Sequence, residues 1–248
     1  MENLCNKNIL IEYSNVDTRL SLSVFHATNI VQNIMTDLFE NIGVTNMILK
    51  KRHNAAWVIS KLQIHFMDYP KLNDMLNATA FVSSNSKIRL NLDGVFKNPL
   101  GNTMFYSRQE ICPMDLKTRK VRRLDTINYP NDLDLKQSNY TMRFSRFNFN
   151  LTDFVQAYTY TVAYCDIDFT RHVNNASYVR FMLNALDANF FNNNIITDLE
   201  IHYINECCEG DILNIYKQIV NNKINFIILH NETKIIEASF SFTGAKIS

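Results

Sequence analysis

The chain contains two copies of one pattern, and that repeat limits the fold more than any other feature of the sequence. In the first copy, IEYSNVD (Ile11–Asp17) alternates apolar and polar residues in the manner of a strand. A helical stretch follows, with Ile30, Val31, Ile34, Met35, Leu38, Phe39 and Ile42 spaced by threes and fours to form one apolar face. Gly43 is placed to stop that helix. The segment Val162–Phe191 repeats the plan. VAYCDID opens it, and Tyr178, Val179, Met182, Leu183 and Leu186 form the apolar side of a second helix. Tyr13 and Asp17 fall on Tyr164 and Asp168 at one common offset. Beyond each helix a second match runs without a gap, LQIHFMDYPKLNDMLN (Leu62–Asn77) against LEIHYINECCEGDILN (Leu199–Asn214). Each copy then closes with alternating segments joined by turn-like residues, Asn98–Asn102 in the first and His230–Thr233 in the second.

Each copy thus reads as a strand, one long helix and several antiparallel strands. Such a sheet must bury one face, and the single long helix is its natural cover. The expected fold class is α+β, a double hotdog: two tandem curved antiparallel sheets, each wrapped around one long helix. The expected boundaries are an N-terminal hotdog over 1–114, a polar linker over 115–150 that contains Pro130, and a C-terminal hotdog over 151–248.

Composition sets further bounds. A net charge of +1 gives no overall field to attract nucleic acid. Five scattered cysteines lack the spacing of a zinc ribbon or a CxxC redox site, as expected of a reduced intracellular protein. Met1–Leu10 shows no basic segment followed by an apolar core, and no apolar run approaches the ~20 residues needed to span a bilayer. The expectation is a cytoplasmic chain without membrane insertion. No ligand cluster or glycine-rich phosphate loop suggests a metal or an organic cofactor.

The repeat also acts as an internal control. Residues needed only to build the fold belong in both copies, whereas residues that do chemistry need appear in one. The second copy has Asp168, Thr170 and His172 where the first has Asp17, Arg19 and Ser21, and Glu206 and Cys207 where the first has Tyr69 and Pro70. The D-x-T-x-H stretch lies where a strand gives way to the long helix, so unpaired backbone N–H groups and the positive end of the helix dipole gather beside it. Asn174 and Asn175 suit helix capping. Glu206 is placed to act as a general base, His172 to hold substrate or shuttle a proton, and Asp168 to orient His172 or a water. Because Asp17 matches Asp168, a loop-closing role is an alternative for that residue. Cys207 reads equally as a thiolate nucleophile and as a small buried hydrophobe. His65 and His202 match each other across the copies and read as scaffold.

These residues carry a resemblance. YCDIDFTRHVNNASYV is similar to the hallmark of the acyl-acyl-carrier-protein thioesterases of plants and bacteria, roughly D-L-D-x-N-x-H-V-N-N-x-x-Y, and IHYINEC resembles their L-E-Y-R-R-E-C. WVISKLQIHFMDYPKLND (Trp57–Asp74) looks like the family's tryptophan-led strand ending in Y-P-x-x-x-D, and MDLKTRKVRRL (Met114–Leu124) like its M-N-x-x-T-R-R segment. The resemblance implies hydrolysis of fatty acyl-carrier-protein thioesters. It implies a catalytic C-terminal half using Asp168, His172, Glu206 and Cys207, and a fatty acyl chain held by the N-terminal half. One departure stands out: Thr170 occupies the position of the family's Asn, offering a hydroxyl in place of an amide and lacking the amide's second donor.

An acidic acyl carrier protein would dock on a basic patch, and Lys117, Arg119, Lys120, Arg122 and Arg123 are the densest basic cluster in the chain. The competing expectations are an acyl-CoA thioesterase of the hotdog superfamily and a non-catalytic acyl-thioester-binding hotdog. Homodimerisation is left open.

Overall fold

The computed structural model describes residues 2–138, 140 and 143–245. Positions 139, 141 and 142 of the expected linker lie outside the described residues, as do positions 1 and 246–248 at the ends of the expected modules. The chain divides into two compact units, Met1–Arg143 and Phe144–Ser248.

In the first unit, β1 (Cys5–Leu10) precedes α1 (Val24–Ile42), a short α2 (Asn46–His53), and the strands β2 (Ala55–Phe66), β3 (Met75–Asn85), β4 (Leu90–Lys97) and β5 (Thr103–Asp115). The strands lie in the order β1-β3-β4-β5-β2, all antiparallel. Helix α1 begins where the Ser23 hydroxyl accepts from the His26 amide at 3.2 Å. It ends at Gly43, whose left-handed backbone (φ 80°) turns its N–H onto the Phe39 and Glu40 carbonyls. The expected apolar face is the buried one. Trp57 seals the far end of the helix, stacking on Phe39 at 4.9 Å and donating its indole N–H to the Val44 carbonyl at 2.6 Å.

The second unit repeats this plan with β6 (Val155–Thr161), α3 (Asn175–Asn184), α4 (Ala188–Asn193), β7 (Asn194–Tyr203), β8 (Ile212–Val220), β9 (Lys223–His230) and β10 (Thr233–Gly244). Read from the strand that precedes the helix, its order is β6-β8-β9-β10-β7, the same as in the first unit. Each unit is a hotdog: five antiparallel strands and a principal helix. The repeat extends to individual hydrogen bonds. Leu22 N–Pro70 O (2.7 Å) corresponds to Val173 N–Cys207 O (2.9 Å), and Ile11 N–Asp74 O (2.9 Å) to Val162 N–Asp211 O (2.9 Å).

Two local expectations are corrected. IEYSNVD and VAYCDID are not strands; Tyr13–Asn15 and Tyr164–Asp166 each form a single 3-10 turn, and the strands precede them. The side chains of Asn15 and Asp166 accept hydrogen bonds from the backbone amides of Glu12 and Ala163, both at 2.9 Å, and so compete with extended pairing. Within the stretch expected as linker, Leu124, Ile127 and Tyr129 are buried. Its later part, Phe144–Phe149, lies on the second unit. There Ser145 binds Glu200 through its amide (2.7 Å) and hydroxyl (2.9 Å), and Phe147 packs 4.3 Å from the His202 ring.

Candidate active site

The second unit's strand-to-helix loop is closed by its own backbone. The Asp168 amide donates to the His172 carbonyl (2.9 Å) and the Arg171 amide to the Asp168 carbonyl (3.0 Å), with Arg171 left-handed at φ 68°. The first unit makes the same turn, Asp17 N–Ser21 O at 2.8 Å and Leu20 N–Asp17 O at 3.0 Å. The Asp168 carboxylate accepts from the Thr170 amide at 2.7 Å, as Asp17 does from the Arg19 amide at 2.9 Å. Closing this turn is therefore common to both copies.

The two loops differ in what their side chains do next. In the first, the Arg19 guanidinium folds back onto Asp17 (2.9 Å), and Lys71 donates to the buried Ser21 hydroxyl (2.7 Å). In the second, the Thr170 hydroxyl lies 2.5 Å from Asp168 Oδ1 and 3.3 Å from His172 Nδ1. The other ring nitrogen of His172, Nε2, stands 3.5 Å from Glu206 Oε2. A continuous polar chain thus runs Asp168–Thr170–His172–Glu206. The His172 and Glu206 side chains keep 26 % and 35 % of their exposure, which leaves room for a small reactant to reach both.

Helix α3 begins beside this chain. Asn174 is its N-cap, its side chain accepting from the Ala176 amide at 2.9 Å. Asn175 is the first helical residue, and its carbonyl accepts from the Tyr203 hydroxyl at 3.4 Å. Four of the five residues singled out in the sequence therefore come together. Cys207, the residue after Glu206, is buried. It is 1 % exposed, and burial pushes its thiol up to about 11, only partly offset by the Tyr178 hydroxyl. A thiol held protonated in this way is a poor nucleophile.

His202 is engaged elsewhere, with Nε2 2.7 Å from Glu200, and His65 packs 4.9 Å from the Tyr106 ring. Among the described residues, no three His, Cys, Asp or Glu side chains converge to hold a metal ion. The basic cluster divides. The Arg122 guanidinium donates to the carbonyls of His53 (2.5 Å) and Thr126 (3.1 Å), and Arg123 pairs with Asp125 at 2.5 Å. Lys117, Arg119 and Lys120 are exposed. Sequence reading passed over Asp166, a fully buried carboxylate in the same loop. The signal was available, since the first copy has Asn15 there.

The fold and the loop define a tandem hotdog protein with a His–Glu pair in its second module. The sequence matches the family model for the acyl-ACP thioesterase N-terminal domain over residues 2–127 and that for the C-terminal domain over 151–243. The chain belongs to the acyl-ACP thioesterase family. It is 21 % identical over 183 residues to the chloroplastic palmitoyl-acyl carrier protein thioesterase of Arabidopsis thaliana, covering 71 % of this chain and 44 % of that protein. To the chloroplastic oleoyl-acyl carrier protein thioesterase 2 of the same plant it is 19 % identical, covering 75 % and 54 %. The chain thus spans about half the length of the curated relatives it matches. Its fold is that of the acyl-ACP thioesterase of Bacteroides thetaiotaomicron (TM-score 0.86, 19 % identity, 97 % of this chain and 98 % of that one). It is also that of the 12:0-ACP thioesterase of Umbellularia californica (TM-score 0.81, 13 % identity, 99 % of each). No helix among the described residues is long and apolar enough to cross a membrane.

Proposed function

We propose that the chain hydrolyses fatty acyl thioesters carried by acyl carrier protein, releasing the free fatty acid. The observation that carries this reading is the approach of His172 to Glu206 beside the first turn of α3, in one of two otherwise matching loops. Glu206 takes a proton from a water, whose oxygen attacks the thioester carbonyl carbon. The carbonyl oxygen becomes an oxyanion, to which we assign the Asn175 amide and the positive end of the α3 dipole. The C–S bond then breaks, and the proton taken by Glu206 passes through His172 to the departing sulfur. Water and thioester give acid and thiol, with no covalent enzyme intermediate and no bond to Cys207.

In this reading the first unit holds the acyl chain and the second performs catalysis. Docking of the acidic carrier falls to Lys117, Arg119 and Lys120. Arg122 ties their turn to His53 at the end of α2, whose last turn adds the exposed Lys50, Lys51 and Arg52. Cytoplasmic residence remains part of the proposal. The test is turnover of purified protein on acyl-carrier-protein thioesters, with thiol release followed by colour and the acids identified. Release that needs Glu206 supports the reading, and tight binding without release rejects it.

A further inference from the structure

The loop that carries Thr170 and His172 is held at its base by an ion pair between the buried Asp166 and the partly exposed Arg180, which the first copy lacks. Asp166 is fully buried, and its carboxylate accepts from the Tyr160 hydroxyl of β6 (2.8 Å), from the Ala163 amide (2.9 Å) and from the Arg180 guanidinium of α3. Its carbonyl accepts from the Asn174 amide at 2.8 Å, and the Ile167–Val173 bridge closes the loop just inside. One residue thus joins the last strand before the loop, the loop's own base and the first helical turns after it. In the first copy the matching positions are Ile9, Asn15 and Asn29. Asn15 keeps the backbone contacts, its side chain accepting from the Glu12 amide (2.9 Å) and its carbonyl from the Ser23 amide (2.9 Å), while Asn29 turns to its own helix and donates to the Phe25 carbonyl at 3.2 Å. The turn therefore folds without the ion pair, and what the second copy adds serves something beyond folding the turn.

We propose that Asp166 and Arg180 are positioning residues for the hydrolytic reaction, fixing the loop on α3 so that His172 is held against Glu206. The proposal rests on the function proposed above. A pair whose carboxylate is fully buried suits this task. Breaking it by removing one partner leaves an uncompensated charge, so the pair favours a single loop arrangement. Reaction rates are sensitive to displacements of about 1 Å, which can cost about 10²-fold.

The test copies the first unit into the second. The double variant Asp166→Asn/Arg180→Asn removes both charges together, and Arg180→Lys keeps the cation. Kinetics on an acyl-carrier-protein thioester are measured at equal folded fraction, alongside amide hydrogen exchange of the whole chain. In the double variant kcat is expected to fall about tenfold or more with KM little changed. Exchange across residues 167–173 should quicken while β7–β10 stay protected, and Arg180→Lys should retain more of kcat than the double variant. Wild-type kcat and loop exchange in the double variant would overturn the proposal. So would a loss of activity no larger than the loss of folded protein. If the wild type itself fails to turn over thioesters, the functional reading fails, while loop exchange still decides whether the pair braces the loop.

Discussion

The imidazole Nε2 of His172 lies 3.5 Å from Oε2 of Glu206, two side chains brought together by the hydrogen bond from Val173 N to Cys207 O (2.9 Å) between their neighbours. If Glu206 activates water and His172 relays the proton, removing either disables the same step. Glu206→Gln and His172→Ala are each expected to lower kcat by about 10²–10⁴-fold, the usual range for general acid–base groups, with KM nearly unchanged. The double variant should be hardly worse than either single one, because groups that act as a unit are not additive. Steady-state kinetics checks this, with circular dichroism to confirm folding.

Thr170 links Asp168 Oδ1 (2.5 Å) to His172 Nδ1 (3.3 Å) through one hydroxyl. Thr170→Val removes that link and should reduce kcat by about tenfold, the effect of losing a hydrogen bond to a charged or reacting group. Thr170→Asn restores the residue of the resembled motif and should keep or raise activity. Complete loss in the asparagine variant would mean that the polar chain is not the working network.

Burial shifts several groups upward: Cys207 from its ordinary value of 9.0 to about 11, and Cys5, Cys112, Tyr129, Tyr178 and Tyr203 in the same direction. The folded chain therefore keeps protons that the unfolded chain releases. Stability from these groups is full below about pH 9 and falls as pH rises toward the folded values. The urea midpoint should drop between pH 8 and about pH 10.5, less steeply in Cys207→Ala. The same variant should keep kcat within about threefold, since a protonated buried thiol makes no bond.

In the first unit Asp93, with only 4 % of its side chain exposed, is held by two Arg108 nitrogens at 2.7 Å each. The bond to Asp93 raises the Arg108 pKa further, so the guanidinium stays charged. Asp93→Ala leaves a half-buried guanidinium without its counterion and should cost about 3–5 kcal/mol. Asp93→Leu/Arg108→Met should cost markedly less, as measured by urea unfolding.

Much of this was legible in the sequence because periodicity and the repeat report on burial. The α1 face from Ile30 to Ile42 and the Gly43 stop follow from helical spacing and one left-handed backbone position. The contrast of His172 with Ser21 and Glu206 with Tyr69 singled out, without any alignment, the pair proposed here to carry the reaction. Legibility failed where local polar contacts override alternation. IEYSNVD and VAYCDID alternate like strands, yet the side chains of Asn15 and Asp166 bend them into turns. Short helices also escaped: α2 and α4 are stabilised by the Thr45 and Asp187 caps rather than by an apolar stripe. In the basic cluster, charge density alone could not distinguish Lys117, which is exposed, from Arg122, whose guanidinium is used by the His53 carbonyl.

Carrier docking has its own signature. Charge reversal at Lys117, Lys120, Lys50 and Lys51 should raise KM for a carrier-borne thioester by about tenfold at low salt, shrinking as salt is added. The coenzyme A thioester of the same acid should be unaffected. Equal KM changes for both would remove the basic face from the account.

The most direct test of the central claim is single-turnover release of fatty acid from a chain-length series of acyl-carrier-protein thioesters by the wild type and by Glu206→Gln. The account predicts rapid release by the wild type and retained substrate binding with little release by the variant. Equal release by both, or binding without release by the wild type, would contradict it.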